Sequence, residues 1–320
     1  MINHVLPAGT PLPDLATVQT LLREWFASHG RDLPWRHTRH PYRVLVSEIM
    51  LQQTQVDRVI PKYLAFLEQF PTVEALARAP TAEVIRAWAG LGYNRRAVNL
   101  QRTAQAVVDQ YDGNFPQDVA ELRRLPGIGP YTSGAVACFA FEQDVAFMDT
   151  NIRRVVQRLF AGPEPAPDAQ LQALAEAAVP AGHGWEWNQA IMELGALICT
   201  ASAPACWRCP LREHCRDYAA RRQADEQSLL AAPAPAAPRP LKRVAERREA
   251  PFVGSNRYYR GRIVDALRQE PPHAPLALAE LGRRIKPDFG EADLPWLRGL
   301  VEALARDGLI AVEGEAARLP

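Results

Sequence analysis

The chain has 320 residues, 48% of them hydrophobic and 23% charged, which is typical of a globular protein of about two domains and excludes a wholly disordered chain. No uncharged apolar run approaches the roughly 18 residues of a membrane span, and the first residues, MINHVLPAGTPLPDL, do not form a secretory signal, so we expect a cytoplasmic protein without a membrane partner. The net charge of +1 on its own argues weakly against a nucleic-acid partner.

Arginine is strongly favoured over lysine in this chain. All but three of the 37 basic residues are arginines, and several stand in pairs, at residues 95 and 96, 123 and 124, and 153 and 154. Arginine binds phosphate with two hydrogen bonds, whereas lysine acts as a point charge. A bias in genome composition would give the same excess, so its meaning depends on the motifs beside these pairs.

Apolar residues recur at helical spacing through residues 1–222, in segments such as LATVQTLLREWFASH, AEVIRAWAGL and TSGAVACFAF. No alternating pattern of useful length indicates a strand in this part of the sequence. These residues therefore predict an all-helical domain.

One predicted helix, over residues 43–56, carries a glutamate on its apolar face. Glu48 shares that face with Val44, Leu45 and Leu51, so we expect its carboxyl group in a poorly hydrated position that favours the protonated form. A carboxyl group that is protonated near neutral pH can act as a general acid. A buried glutamate paired with an arginine would show the same pattern.

The segment LPGIGPYTSG, residues 125–134, lies between two predicted helices. Gly127 and Gly129 permit a tight turn in which backbone N–H groups point outward at the start of the next helix, where the helix dipole also favours an anion. Such a hairpin would bind a phosphate group. Proline and glycine also occur in many helix connections that have no such function.

Asp149 follows the apolar residues VAFM and precedes a helical pattern that begins with Thr150 and Asn151. This position suits an aspartate that caps the N-terminus of a helix. Capping would also keep the carboxylate ionised, because the helix N-terminus carries a partial positive charge.

Four of the five cysteines have the spacing C-x6-C-x2-C-x5-C, at Cys199, Cys206, Cys209 and Cys215. A chain without an export signal keeps its thiols reduced, which argues against disulfides and in favour of a metal. Four thiolates suit either zinc or a [4Fe-4S] cluster, and the spacing leaves both open. Cys138, within AVACFAF, is interpreted as a core residue.

Residues 223–251 contain the segments AAPAPAAPRP and KRVAERREAP, which have almost no apolar periodicity and predict a semi-rigid linker. Beyond it, helical patterns cover residues 258–267, 276–285 and 294–307, and two short extended pieces flank Gly314. Three helices and a hairpin predict a small winged-helix-like module over residues 252–320.

Six motifs occur in order along the chain: LPWR at residues 33–36, SEIMLQQTQV at 47–56, GLGY at 90–93, LPGIGPYT at 125–132, MDTNIRRV at 148–155, and the four cysteines. Together they resemble those of the adenine DNA glycosylase (MutY) family in the endonuclease III superfamily, over roughly residues 14–222. The resemblance implies a helix-hairpin-helix DNA glycosylase fold of two helical lobes, a [4Fe-4S] cluster on the four cysteines, and a monomer that binds double-stranded DNA containing a mismatch.

The resemblance also implies catalytic residues. Glu48 would protonate the leaving purine, and Asp149 would remain ionised to stabilise, or transiently bond, the cation that develops on the sugar. Tyr131 and Asn151 correspond to residues that lie near these two carboxyl groups.

Other positions correspond to residues that contact DNA. Adenine inside a duplex must be flipped out to be reached, and Gln53 and Tyr93 would fill the gap that it leaves. The hairpin at Gly127 and Gly129 would bind the backbone. The residues that would line the adenine pocket are Arg31, Leu33, Trp35, Arg36 and Gln189, although Leu33 and Trp35 also suit plain core positions.

Related enzymes that also cut the DNA backbone use a hairpin lysine to form a Schiff base. Here that position is Tyr131, and Lys62 is the only lysine before the linker, so we expect a monofunctional glycosylase that excises adenine opposite 8-oxoguanine or guanine. Thymine glycosylases that act on T:G mismatches resemble the same pattern, including the tyrosine and the DTN triplet, and stay an alternative. A DNA-binding protein without catalysis is a third candidate, against which Glu48 and Asp149 argue.

The resemblance ends at the linker. Many members of the family carry a C-terminal domain of nucleotide-hydrolase fold that reads 8-oxoguanine, and residues 252–320 lack its strand pattern. The winged-helix-like module, with Arg257, Arg260 and Arg262 at its start, would either bind duplex DNA or serve as a structural cap. The preference for 8-oxoguanine over guanine therefore stays open.

Overall fold

The computed structural model describes residues 14–230 and 252–320, and no helix in these ranges is both long enough and apolar enough to span a membrane. The described residues form two units. The first unit contains residues 14–44, 117–120 and 129–230, and the second unit contains residues 45–116, 121–128 and 252–320.

Helices dominate both units. In chain order the α-helices are α1 Leu15–His29, α2 Pro41–Leu51, α3 Val56–Gln69, α4 Val73–Arg78, α5 Thr81–Ala87, α6 Arg95–Tyr111, α7 Val119–Leu122, α8 Pro130–Phe141, α9 Thr150–Val156, α10 Asp168–Ala178, α11 Gly184–Leu197, α12 Arg216–Leu230, α13 Asn256–Arg268, α14 Leu278–Ile285 and α15 Leu294–Arg306. Short 3-10 or π turns lie at Pro34–His37, Gln157–Ala161, Cys206–Arg208, Arg212–His214 and Glu291–Asp293. No strand occurs over residues 14–222, so the all-helical prediction is confirmed for the described part of that domain.

The core of the first unit lies around α11. This helix packs against α1 and α9, and its Trp187 and Leu194 are buried, as are Val18 and Leu22 of α1. Helix α8 is apolar on all sides, and its residues 132–140 are all buried. An all-round apolar helix has to lie inside a protein, and α8 does.

Helix α6 is central to the helical part of the second unit. It packs against α4 and α5, and its buried side includes Val98, Leu100 and Val107. The buried side chain of Gln101 donates a hydrogen bond of 2.6 Å to the backbone oxygen of Ala79, just after α4. These contacts fix the N-terminal end of α6, which the Tyr93 loop precedes.

Residues 252–320 contain the three helices and the C-terminal hairpin that the sequence predicts, together with a short strand that it does not predict. Helices α13, α14 and α15 pack against one another, and the strands β1 Leu276–Ala277, β2 Ala311–Glu313 and β3 Ala316–Arg318 form an antiparallel sheet in the order β1-β3-β2. Gly314 allows the tight hairpin between β2 and β3, with a φ of +59°. Strand β1 falls within the helix predicted over residues 276–285, because Leu276 pairs with the distant Ala317.

The module shares a hydrophobic cluster with the helices of its unit. Ala82 and Ile85 of α5 and Val98 of α6 belong to the same buried cluster as Ile263 and Leu267 of α13. The module and these helices are therefore parts of one packed unit.

Two predicted boundaries differ from the structure. The helix predicted over residues 43–56 ends at Leu51, and a turn separates it from α3. Helix α12 continues through residues 223–230 of the predicted linker, where helix-forming residues dominate and Arg222 pairs with Glu226 one turn later. The rest of the predicted linker, residues 231–251, lies outside the described residues.

Replacing Ile263 by alanine should lower the free energy of unfolding by about 2 to 4 kcal/mol, because it leaves a cavity in the shared cluster. The loss should extend to α6, so hydrogen exchange of the α6 amides should accelerate along with that of α13. Glu302→Ala, on the exposed side of α15, is the control. Faster exchange confined to residues 252–320 would contradict a shared cluster that couples the two parts.

Candidate functional site

Glu48 is buried in the second half of α2. Only 4% of this residue is exposed, and its helix neighbours Leu45, Ile49 and Met50 are buried to the same degree or more. The burial predicted from the apolar spacing is confirmed. A carboxyl group removed from bulk water is suited to carry a proton to a bound substrate.

The guanidinium group of Arg96 binds the end of α2. Its Nη1 donates to the backbone oxygens of Ile49 at 2.8 Å, Met50 at 3.0 Å and Gln52 at 2.6 Å. A continuing helix would bond these carbonyl groups to its own N–H groups. The helix therefore ends at Leu51, although the apolar spacing continues to Val56.

The same guanidinium binds the loop before α6. Its Nη2 donates to the backbone oxygens of Leu91 at 3.0 Å and Gly92 at 3.2 Å, and to Oγ1 of Thr54 at 3.1 Å. Burial lowers the pKa of Arg96 to about 10, so the group is still charged at neutral pH. One cation thus joins the turn after α2 to the GLGY loop.

Gln53 and Tyr93 project from these two segments. Both have a left-handed backbone, with φ of +56° and +46°, which costs a non-glycine residue about 1 kcal/mol or more. Gln53 is exposed, and Tyr93 is 46% exposed. Such conformations persist where surrounding contacts enforce them, and here Arg96 supplies those contacts. The two residues predicted to enter DNA are therefore both displayed on loops that one arginine holds.

The predicted hairpin turns at Gly127, which has a φ of +77°. A Cβ atom at this residue would lie 2.8 Å from the Cβ of Asn99, so only glycine fits. Thr103 donates a hydrogen bond of 2.6 Å to the backbone oxygen of Pro126 and thereby ties the turn to α6. Gly129 is the N-cap of α8, and no described atom lies within 4 Å of the place where its Cβ would be.

Asp149 caps α9, as predicted. Its Oδ1 accepts a hydrogen bond of 2.7 Å from the backbone N–H of Ile152, and its Oδ2 accepts one of 3.2 Å from the side-chain amide of Asn151. The helix N-terminus and the amide both stabilise a negative charge on this carboxylate.

Arg154 continues this set of hydrogen bonds. Its Nη2 donates to Oδ1 of Asn151 at 2.7 Å and to the backbone oxygen of Gly195 at 2.7 Å, and its Nε donates to the backbone oxygen of Cys199 at 2.6 Å. Arg154 is not among the predicted site residues, although its spacing of three residues from Asn151 is a signal for contact on a helix. Hydrogen bonds therefore connect Asp149, through Asn151 and Arg154, to the cysteine segment.

Tyr131 lies half-buried in the first turn of α8. Its ring meets that of Phe147 edge to face, with 5.4 Å between the centroids. Since Phe147 comes two residues before Asp149, this contact brings the start of α8 close to the segment that leads into α9.

Two of the predicted pocket residues, Arg31 and Arg36, bind an acidic residue that was not predicted, Glu193 of α11, and a third, Gln189, binds Arg36. Arg31 donates to both Glu193 carboxylate oxygens, from Nε at 2.7 Å and from Nη2 at 2.9 Å. Arg36 donates to Oε2 of Glu193 at 2.8 Å and to Oε1 of Gln189 at 2.8 Å. The basic pair in RDLPWR signals an acidic partner, but nothing in the sequence identifies a residue 162 positions away.

Glu193 is a buried carboxylate in this group of residues. Burial by itself would raise its pKa, but the hydrogen bonds from Arg31 and Arg36 outweigh that effect and lower the pKa to about 2. Leu33 and Trp35, between the two arginines in sequence, are 5% and 7% exposed. The five predicted pocket residues are thus not equivalent, because two are apolar and buried while the others belong to a charged network.

The four cysteines of the motif line one cavity, together with Arg158 and Asp217. Arg158 donates to Sγ of Cys199 at 3.4 Å, and its backbone oxygen accepts a hydrogen bond of 3.4 Å from the Cys215 thiol. Burial, with smaller contributions from the other three cysteines, raises the pKa of the Cys209 thiol to about 12. The thiols are therefore close enough to interact electrostatically.

Within residues 14–230 and 252–320, no three His, Cys, Asp or Glu side chains are grouped so that they could hold one metal ion. By chemistry, four thiols that line one cavity are a donor set that suits either zinc or a [4Fe-4S] cluster.

The chain matches known proteins over most of its length. Residues 46–180 match the family model of the HhH-GPD superfamily base excision DNA repair protein. An adenine DNA glycosylase of Mycolicibacterium smegmatis is 40% identical over 92% of this chain and 95% of its own, and the adenine DNA glycosylase of Homo sapiens is 41% identical over 66% of this chain and 40% of its own. Among solved structures, a thermostable thymine-DNA glycosylase is 32% identical, with a TM-score of 0.61 over 64% of this chain and 97% of that chain.

Replacing Glu193 by glutamine should lower the free energy of unfolding at neutral pH by about 3 kcal/mol, because two arginines lose their buried carboxylate. Folding lowers the pKa of Glu193, so its stabilising effect is complete above the ordinary pKa of 4.5 and is lost as the pH falls towards about 2. Urea unfolding at a series of pH values should therefore show that the deficit of the variant shrinks in acid.

Glu186→Gln is the matched control, because Glu186 is a glutamate on the same helix whose side chain is 46% exposed. A deficit for Glu193→Gln that equals that of the control, or that does not change with pH, would show that the ion pairs of Glu193 do not stabilise the fold.

Proposed function

The chain belongs to the adenine DNA glycosylase family within the HhH-GPD superfamily, and we propose that it is an enzyme that flips mispaired adenine out of DNA and hydrolyses the bond between the base and deoxyribose. One observation carries the choice of adenine: the similarity to the adenine DNA glycosylase of M. smegmatis extends over most of both chains and into the C-terminal module. The proposed base opposite adenine is 8-oxoguanine or guanine.

Glu48 is the proposed general acid. Cleavage of the N-glycosidic bond requires a proton on the leaving purine, because the neutral base leaves far more readily than its anion. The burial of Glu48 suits delivery of that proton to a ring nitrogen of the flipped adenine. The carboxylate that results can then accept a proton from the water that attacks the sugar.

Asp149 is the proposed partner of the sugar. Positive charge develops on the ring oxygen and C1′ as the bond breaks, and a fixed carboxylate stabilises that charge. The backbone N–H of Ile152 in the first turn of α9 and the side-chain amide of Asn151 donate hydrogen bonds to Asp149 and fix its position. Arg154 positions this pair, because it binds the amide oxygen of Asn151 and leaves the amide N–H₂ to the carboxylate.

We propose a monofunctional enzyme, with Tyr131 near the reacting sugar. A Schiff base requires an amine, which the phenol of Tyr131 does not supply. Lys62 is the only lysine in residues 14–230, and it lies on α3, outside the hairpin.

The proposed duplex-binding elements are the hairpin and the two loops that Arg96 holds, which carry Gln53 and Tyr93. The backbone N–H groups that follow Gly127 and Gly129 suit a phosphate at the start of α8. Gln53 and Tyr93 are proposed to fill the space of the flipped adenine. Their enforced backbone supports this role, because a loop that is already ordered loses less entropy on binding.

Arg31, Leu33, Trp35, Arg36 and Gln189 are proposed to line the adenine pocket. Both arginines are bound to the buried carboxylate of Glu193, so we assign them to the pocket wall rather than to phosphate binding. Gln189 uses its amide oxygen for Arg36, and its amide N–H₂ suits an acceptor nitrogen of adenine.

Cys199, Cys206, Cys209 and Cys215 are the proposed ligands of a [4Fe-4S] cluster. Their shared cavity and free thiols fit four separate iron atoms, and free thiols also fit the reducing cytoplasm. When bound, the cluster would cross-link the segment between α11 and α12 through thiolate–iron bonds. Arg158 would offset part of the negative charge of the thiolates.

Excision of thymine is the second candidate, favoured by the likeness to the thermostable thymine-DNA glycosylase. Four duplexes that contain A:8-oxoG, A:G, T:G or thymine glycol separate the two candidates. Release of adenine from the first two and no release of thymine supports the proposed function, and the opposite pattern overturns it.

Glu48→Gln should lower the single-turnover rate of adenine release by about 10³-fold, because the amide cannot donate the proton, while duplex affinity should change little. Glu68→Gln, an exposed glutamate on α3 of the same unit, is the control. Activity near that of the control would reassign Glu48 to a structural role.

The purified protein should be yellow-brown and contain about four iron atoms per chain. Cys209→Ser should lose iron and visible absorption, whereas Cys138→Ala, which alters the cysteine outside the motif, should keep both. Metal analysis that finds zinc and no iron in the unaltered protein would contradict the cluster.

A further inference from the structure

Arg257, in the first turn of α13, reaches the exposed ring of Tyr93. Its guanidinium donates a hydrogen bond to the Tyr93 hydroxyl, and its Cζ lies 4.6 Å from the ring centroid. The Cζ of the half-buried Arg96 lies 5.5 Å from the same centroid. Tyr93 therefore interacts with two cations, one half-buried and one exposed, and a cation near an aromatic ring is attracted by the negative charge of the ring face.

The two residues that follow Tyr93 also contact the C-terminal module. Asn94 accepts a hydrogen bond of 2.8 Å from Arg268 at the end of α13, and Arg95 lies 3.5 Å from Asp307 just after α15. Arg268 also donates to the backbone oxygen of Ile85 at 3.0 Å. The module thus holds the Tyr93 loop at three consecutive residues.

Arg257 combines two properties that are not found together in the other arginines at the start of α13, a charge without a carboxylate partner and a contact with Tyr93. Arg260 pairs with Asp307 at 2.5 Å, so a carboxylate of the module offsets its charge. Arg262 donates to the backbone oxygen of Arg284 at 3.2 Å. Within the described ranges no carboxylate lies at salt-bridge distance from Arg257 or Arg262, whose side chains are both exposed. Two of the three predicted phosphate-binding arginines therefore keep an unpaired charge, and of these two Arg257 is the one that contacts Tyr93.

We propose that Arg257 makes the C-terminal module part of the DNA-reading surface: it holds Tyr93 in the orientation in which Tyr93 enters the duplex, and it binds a backbone phosphate beside the point of entry. This proposal rests on the proposed function of Tyr93. The two roles are compatible, because a guanidinium that stacks on a ring keeps N–H groups in its own plane for a second partner. Arg257 is a positioning residue, since it acts on the flipped base through Tyr93.

The test uses the full chain and a duplex whose target adenosine carries a 2′-fluorine, which resists cleavage. Arg257→Ala should weaken binding about 5- to 10-fold and reduce the slope of log affinity against log salt by about one, because one phosphate contact is lost. The fluorescence of a 2-aminopurine placed beside the target should also rise less than with the unaltered protein, because that base is less unstacked. Arg283→Ala is the control, because it removes an exposed arginine of α14 with no described partner.

Arg257→Lys separates the two roles. A lysine keeps the charge but not the planar stack, so the salt slope should stay near that of the unaltered protein while the 2-aminopurine signal falls. The proposal is wrong if Arg257→Ala matches Arg283→Ala in both measurements. It is also wrong if Arg257→Ala unfolds at a clearly lower temperature than Arg283→Ala, because Arg257 would then be a structural residue.

Adenine release by the unaltered protein is measured in parallel. If no adenine is released while Arg257→Ala still changes the salt slope and the unstacking, the proposed reaction fails and the DNA-reading role of Arg257 survives. If adenine is released and the Arg257 variants behave as the control, only the role of Arg257 fails.

Discussion

The exposed loops of the second unit depend on one half-buried guanidinium group, that of Arg96. Removing a cation from water is costly, and here six oxygen acceptors offset the cost, five of them backbone carbonyls of the two segments that Arg96 joins. The hydrogen bonds of Arg96 therefore use neither the Gln53 nor the Tyr93 side chain, although its Cζ also lies 5.5 Å from the centroid of the Tyr93 ring. Both of these residues are exposed.

The first unit uses arginine in the same way. Arg31 and Arg36 enclose the carboxylate of Glu193, and Arg154 links Asn151 to the backbone of Cys199. Arginine suits such links because its planar fork binds two or three acceptors and stays charged when buried. At these positions the role of arginine is therefore structural.

Features that depend on near neighbours in sequence were predictable. The capping by Asp149 spans three residues and the burial of Glu48 follows helical spacing, so both are readable from the chain. The end of α2 was not predictable, because the residue that takes its carbonyl groups lies 44 to 47 positions away. Glu193 was not predictable as the partner of Arg31 for the same reason, because the two residues are 162 positions apart in sequence. Composition shows that partners are needed, and only the tertiary fold identifies them.

The sequence leaves two roles open for residues 252–320, a structural cap and a DNA-binding module. The contacts of the module with α5, α6 and the Tyr93 loop make the two roles compatible. The cluster that contains Ile85 fixes the module on α5 and α6, and Arg268 binds Asn94, the residue after Tyr93. Deleting the module would remove the cap, the loop support and Arg257 together, so a change in DNA binding would have no single cause. The exposed side chain of Arg257 takes no part in the cluster. A substitution of Arg257 alters the surface that the Tyr93 loop presents to DNA and leaves the packing of the module on α5 and α6 in place. Only point variants can therefore separate a role in DNA binding from a role in supporting the fold.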